Sequence, residues 1–139
     1  MTTMHELCEH TADLGIRMQA ATLDELMVDA ARGFVEVLAG DASQIRPLVE
    51  ESFQVAGSDP AWLLFDWLAE LHAAFELRRM LFREFRVQVD QSGLRATARG
   101  ERFDPQRHDL AHEIKAVTQH ELAVRQTPAG WEGFVILDI

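Results

Sequence analysis

The sequence has little that would support a disulfide framework or a membrane anchor. It contains a single cysteine, Cys8, so no internal disulfide can form. With one cysteine and no Cys-X-X-Cys pair, a structural zinc site is not expected either. No run of about 18 apolar residues occurs, which argues against a spanning helix. The N-terminus lacks a basic stretch followed by an apolar one, so we expect a cytoplasmic protein with no membrane partner.

Tyrosine is absent and basic residues are scarce. Thirteen bases stand against 23 acids, which gives a formal net charge of −10. An acidic surface repels phosphate backbones, so tight direct binding of RNA would need a local basic patch. The charge suits a basic partner protein or a bound cation, and it is equally compatible with a role in solubility alone.

The chain has enough apolar material for one globular core. Its 139 residues are 47% hydrophobic and 26% charged, and this length matches one domain spanning 1–139. Apolar residues alternate with polar ones over 4–10, 14–20 and 46–56, which predicts three strands. They also predict strands over 81–89, 94–98, 114–120, 122–126 and 131–139.

Two segments carry helical signals. Thr22 is a good N-cap and Glu25 completes a capping box, so a helix should begin there and end at Gly40 in a left-handed cap. Ser58 or Asp59 should cap a second helix, with Pro60 in its first turn. Apolar residues nearly surround the first half of this second helix, so we expect it in the centre of the core. The order ββαβα followed by strands predicts an α+β domain, with two helices packed on a mostly antiparallel sheet.

Three clusters carry candidate chemistry. His10, Asp13 and Gly15 flank a predicted turn, where a carboxylate could point out from a rigid sheet edge toward a hard cation. An aspartate in a turn also commonly accepts hydrogen bonds from nearby amides, so this cluster alone leaves both roles open. The second cluster is Asp138 and Ile139. If residue 139 is the natural end, its carboxylate lies beside that of Asp138, and a divalent cation could neutralise both.

The third cluster contains Lys115, the only lysine, and His120. Lysine is a compact charge that can contact a carboxylate or a phosphate, and histidine can carry a proton or bind a metal. On a regular strand the two side chains would lie on opposite faces. An exposed lysine and a hydrogen-bonded histidine are the simpler interpretation.

Taken together, these segments resemble the archease family across nearly the whole chain. The resemblance rests on five segments in order: 10–16, 63–68, Gly100-Glu101 with Asp104 and His108, 113–118 with His120, and 135–139. One departure is visible, because Gln119 stands where the family often has tyrosine. Any role for a phenol at this position is therefore in doubt.

The resemblance implies an accessory protein and not an enzyme. Its partner would be an RtcB-type RNA ligase, whose guanylylation and multiple turnover it promotes in tRNA splicing and RNA repair, with RNA contacted only through the ligase. The resemblance also implies a divalent metal ion, calcium first with manganese or magnesium as alternatives, bound by Asp13, Asp138 and Ile139. His10, Lys115 and His120 would support this site.

Two other functions are compatible with the residues alone. Carboxylates with a lysine and a histidine could serve a small metal-dependent phosphoesterase, although few acids cluster in the sequence. The acidic surface also permits a chaperone-like protein-binding module.

Overall fold

The computed structural model describes residues 3–10 and 13–139, without the side chains of Cys8, Glu9 and His10. A short 3₁₀ helix, Ala42–Gln44, precedes the third strand. The helices and strands in chain order are β1 (Met4–His10), β2 (Asp13–Ala20), α1 (Leu23–Ala39), β3 (Val49–Ala56), α2 (Pro60–Arg78), β4 (Met80–Asp90), β5 (Gly93–Arg102), β6 (Ala116–Val117), β7 (Ala123–Thr127) and β8 (Gly130–Asp138). The predicted order and the α+β class are confirmed.

The antiparallel strands form two sheets. β1, β2, β8 and β6 lie side by side in a five-stranded sheet, in which β7 also pairs with β8. The second sheet has the order β3-β5-β4, and all pairings among the described strands are antiparallel. Both helices lie between the sheets: α1 contacts β2 and β4, and α2 contacts β6 and β7 on one side and β3 on the other. This position explains why apolar residues nearly surround the first half of α2, although one side of the helix still faces solvent.

The first helix begins and ends close to the predicted residues. The Thr22 hydroxyl accepts a hydrogen bond from the Glu25 amide at 3.1 Å, as an N-cap should. Gly40 ends the helix with φ of +76° and ψ of −98°. The left-handed cap predicted there is therefore wrong in detail, although the positive φ still favours glycine.

The second helix is part of the core but is not its centre as predicted, because seven of its residues are buried against eleven in α1. The Asp59 carboxylate caps it by accepting from the Ala61 amide at 3.0 Å, and Pro60 occupies its first turn. Trp67 is fully buried and donates from Nε1 to the Met27 carbonyl at 3.0 Å, which ties α2 to α1. In the described part of the chain, no helix has the length and apolar character needed to cross a bilayer.

Some predicted strand boundaries were wrong. β3 begins at Val49 instead of residue 46, because the 3₁₀ helix and Pro47 precede it. The strand predicted over 114–120 is reduced to Ala116–Val117, since the connecting segment (residues 103–115) is irregular until it meets β8. Asp13 is the first residue of β2 rather than part of a turn. The predicted turn residues Thr11 and Ala12 lie outside the described part of the chain.

Candidate functional site

Asp13 and Asp138 lie directly opposite each other on adjacent strands. The antiparallel register of β2 and β8 pairs Asp13 with Asp138 and Leu14 with Leu137. Both leucines are buried in the core, and side chains alternate along a strand, so the two carboxylates lie on the outer face of the sheet. Directly opposed residues have Cβ atoms about 4.5–5.5 Å apart. The fold therefore brings together two acids that are 125 positions apart in the sequence.

The end of the described chain is docked against its neighbours. The main-chain carbonyl of Asp138 accepts from the Lys115 amide at 2.7 Å, and Ala116 pairs with Asp138 in the register of β6 and β8. Ile139 is partly buried against the core. The apolar tail is thus docked in the sheet up to its last residue, while the joint role of Asp138 and Ile139 stays a prediction.

These donors fit a hard divalent cation, although the protein supplies few of them. Among the described residues, no three His, Cys, Asp or Glu side chains are grouped so as to hold a metal ion. The candidate set is two carboxylates and main-chain oxygen from Ile139. Calcium takes six to eight oxygen ligands, so water or a partner would have to provide about half of them. Such a site would bind calcium more weakly than a closed protein cage.

The supporting residues are placed less closely around this pair. Lys115 is exposed and adjoins the pair through its main chain, while His120 is 75% exposed and lies 4.0 Å from Glu121. No ion pair within the described residues joins His120 to either aspartate. His10 pairs with Asp13 in the register of β1 and β2, but its side chain lies outside the described part.

A buried carboxylate, Glu101, organises a network that the sequence did not reveal. Its oxygens accept from the Arg46 amide at 2.7 Å, from the Arg107 guanidinium at 2.8 Å and from His108 Nε2 at 2.9 Å. The Nδ1 atom of His108 accepts from the Asp104 amide, which assigns the proton to Nε2. Burial alone would raise the pKa of Glu101, but the hydrogen bonds from Arg46, His108 and Arg107 outweigh it and hold the pKa far below its usual range.

A second missed cluster joins β1 to α1. His5 Nδ1 lies 3.0 Å from a carboxylate oxygen of the buried Asp29, and its Nε2 contacts Glu36. Burial lowers the pKa of His5, but the hydrogen bonds to Glu36 and Asp29 raise it above its ordinary value overall. The other oxygen of Asp29, Oδ2, is buried and has no hydrogen-bond partner among the described residues. Asp29 lies outside the apolar face predicted for α1, so the sequence carried no signal for its burial.

Comparison with known proteins places the whole chain in one group. A family model described as the Archease protein family matches residues 5–139. A protein archease from Methanopyrus kandleri is 36% identical over 138 residues, covering 96% of this chain and 98% of that one. A protein archease from Pyrococcus furiosus is 35% identical over 136 residues, covering 94% and 95% respectively.

Solved structures agree with the fold described above. The solution structure of Methanobacterium thermoautotrophicum protein 1598 superimposes with a TM-score of 0.84 at 32% identity, covering 97% of this chain and 98% of that one. The crystal structure of an archease from Thermotoga maritima, described as a possible chaperone, gives a TM-score of 0.70 at 21% identity and covers 98% of each chain. These matches confirm the predicted architecture of two helices with antiparallel sheet.

Proposed function

Because this chain belongs to the archease family, we propose that it is a non-catalytic accessory protein of an RtcB-type RNA ligase. It would act in the cytoplasm by promoting guanylylation of the ligase and its repeated turnover. RNA would be reached only through the ligase, because a net charge of −10 disfavours a free phosphate backbone. The Thermotoga maritima relative is described as a possible chaperone, which also implies a protein partner.

The observation that carries the proposal is the opposed pair of Asp13 and Asp138 at the outer face of the sheet. Two carboxylates this close repel each other unless positive charge lies between them or beside them. Asp13, Asp138 and Ile139 would hold a divalent cation, calcium first, which would offer positive charge to oxygen atoms of the ligase or its nucleotide. The incomplete set of protein ligands leaves room for groups from a partner.

The residues of the chain would orient this surface toward the partner. β2 and β8 are paired over their whole length, so they fix the two carboxylates on a rigid platform. Lys115, exposed and directly before β6, would contact a phosphate or carboxylate at the mouth of the ligase active site. The acidic surroundings would favour docking on a basic rim of the ligase.

Calcium titration with isothermal calorimetry tests the site itself. Asp13→Asn combined with Asp138→Asn should abolish or strongly weaken calcium binding, since both charged oxygen donors are lost. A matched control is Asp109→Asn with Glu113→Gln, which removes the same charge from exposed positions of the connecting segment. Equal loss of binding in both double variants would mean diffuse attraction instead of a site.

A ligation assay tests the function. The RtcB-type ligase from the same source is used at substoichiometric amounts, with GTP, manganese and RNA ending in a 3′-phosphate or cyclic phosphate. Product should exceed one turnover per ligase only when this protein is present, and the Asp13/Asp138 double variant should lose the stimulation while the control double variant keeps it. Unchanged turnover with the unaltered protein would reject the proposal.

Two other results would favour the alternative functions. Metal-independent suppression of aggregation of unrelated proteins would favour the chaperone-like alternative. Hydrolysis of RNA ends by the protein alone would favour the phosphoesterase.

A further inference from the structure

β3 is an edge strand of the three-stranded sheet, with one side unpaired in that sheet. The Gly57 amide donates to the Ser92 carbonyl, and these two residues continue the register in which Ala56 pairs with Gly93. Hydrogen-bonded pairs alternate along an antiparallel ladder. The main-chain groups of Ser52, Gln54 and Ala56 therefore point away from β5.

The opposite edge of the same sheet, β4, shows the same alternation. Unlike β3, it has features that hinder pairing with a further strand. On β4 the Val89 amide also points outward, and the Asp24 carboxylate caps it at 2.8 Å. β4 is further irregular between Phe82 and Glu84, where its register shifts. β3 has no such shift over its eight residues and contains no proline or lysine. No hydrogen bond within the described residues uses the outward main-chain groups of Ser52 or Gln54, so this edge can still accept a strand.

A groove runs beside the free edge. It has a volume of about 330 Å³ and is lined by β3 residues 54–56 and by the side of α2 that faces solvent. Ala69 and Ala73 form part of its wall, and their small side chains leave room for the inward-facing side chains of an added strand. On the same side of α2, Trp62 is 47% exposed and Leu77 is 79% exposed. These two apolar side chains lie toward opposite ends of the helix.

The charges around the groove select the partner. Asp66 and Glu70 line it, whereas Glu50 lies outside it on the outer face of β3 and is 3.9 Å from Arg99. A second copy of this chain is itself acidic, with a net charge of −10, so like charge opposes its approach to these carboxylates. Basic side chains would instead be attracted, which favours a different protein that presents lysine or arginine from an extended segment.

We propose that β3 is a strand-addition site that binds an extended, basic segment of a partner protein in the groove beside α2. Main-chain hydrogen bonds to Ser52, Gln54 and Ala56 supply the part of the binding that does not depend on the partner's side chains. Asp66 and Glu70 supply the preference for basic side chains. This surface belongs to the other sheet from Asp13 and Asp138, and the proposal does not depend on the function of that pair.

The probe is an acetylated and amidated eight-residue peptide of alternating valine and lysine. The control peptide alternates valine and glutamate, so it has the same strand propensity and the opposite charge. With ¹⁵N-labelled full-length protein, the lysine peptide should shift the amide resonances of β3 and slow hydrogen exchange at Ser52, Gln54 and Ala56. The glutamate peptide should do neither.

Two sets of variants separate backbone pairing from charge. Gln54→Pro removes an outward N–H without removing a bond to β5, and it should weaken binding of the lysine peptide by roughly tenfold. Asp66→Asn with Glu70→Gln should weaken it by about threefold to tenfold and reduce its salt dependence. Glu84→Gln with Glu25→Gln removes two charges from exposed acids outside the groove, is the matched control and should leave binding unchanged. Thermal unfolding of each variant checks that it is folded.

Three results would overturn the proposal. The first is no binding of the lysine peptide, or equal binding of the two peptides. The second is binding without slowed exchange at the three outward amides, which would be attraction of charge alone. The third is protection of these amides in the free protein that increases with protein concentration, together with a dimer in sedimentation, because a second copy would then occupy the edge.

Discussion

Replacing Glu101 with alanine should be among the most destabilising single changes in this chain. The substitution leaves His108 Nε2 and the Arg46 amide without an acceptor, and the His108 side chain is 0% exposed. An unsatisfied buried donor costs about 1–3 kcal/mol. The side chains of Arg46 and Arg107 are 55% and 36% exposed and can return to water at little cost. The expected loss is therefore about 3–4 kcal/mol.

Chemical and thermal unfolding measure this loss. The free energy of unfolding from a urea titration should fall by about 3–4 kcal/mol, and Tm should fall by roughly 10 °C for a chain of this length. Glu50→Ala is the control, because Glu50 makes only a loose exposed pair with Arg99 at 3.9 Å and should change stability by at most about 0.5 kcal/mol. A loss below about 1 kcal/mol for Glu101→Ala would refute the reasoning.

The same network predicts how stability depends on pH. The pKa of Glu101 is depressed in the folded protein, so its contribution is fully present above its ordinary value near 4.5 and is lost as the pH falls below that value. The difference in unfolding free energy between the unaltered protein and Glu101→Gln should therefore shrink steadily below pH 4.5. A difference that stays constant from pH 7 to pH 3 would contradict the assigned ionisation.

Two further predictions concern the packing of β1 and β2 on α1. The pKa of His5 is raised, so its contribution to the free energy of unfolding should be present below its ordinary pKa of 6.5 and disappear as the pH rises through the raised value. His5→Gln should lose this pH dependence in urea unfolding. The effect should be at most about 1 kcal/mol, because Glu36 is 46% exposed. Gly33→Ala should destabilise by about 1–2 kcal/mol in the same assay, since the new Cβ would lie 2.8 Å from Ile16 Cγ2, and a neutral or stabilising result would show that α1 can move off the sheet.

Local patterns were enough to predict both helices and their N-terminal caps. The start of each helix is determined by residues that contact neighbours within three positions, namely Thr22 in α1 and Asp59 with Pro60 in α2. A short stretch of sequence is therefore enough to identify them. The division of the strands between two sheets could not be predicted, because the residues of β3 and β5 alternate in the same way whichever strand they pair with. The strand predicted over 114–120 failed for a related reason, since tertiary contacts hold most of that segment in irregular structure.

The acidic pair was suggested by resemblance, and the register of β2 and β8 places its two members opposite each other. Glu101 and Asp29 could not be assigned from sequence in the same way. A carboxylate is usually solvated, and only the positions of Arg46, His108 and His5 in space make burial of these two acids tolerable. Periodicity gives no signal at either position, because Glu101 shares a face of β5 with Arg95 and Arg99, and Asp29 lies on the side of α1 that carries Glu36.

The Glu101 network also anchors the connecting segment that leads to the acidic pair, Asp13 and Asp138. His108 anchors the middle of this segment, and His72 holds its end by contacting the Ile114 carbonyl at 2.8 Å. The next residue, Lys115, donates its amide to Asp138. If the segment unfolds locally as one unit, Glu101→Ala should accelerate hydrogen exchange at the Lys115 amide by at least tenfold under native conditions. If hydrogen exchange at Lys115 stays unchanged while Tm falls, then His72 and the pairing of β6 with β8 are sufficient to hold the main chain beside Asp138. The Glu101 network would in that case contribute to global stability alone.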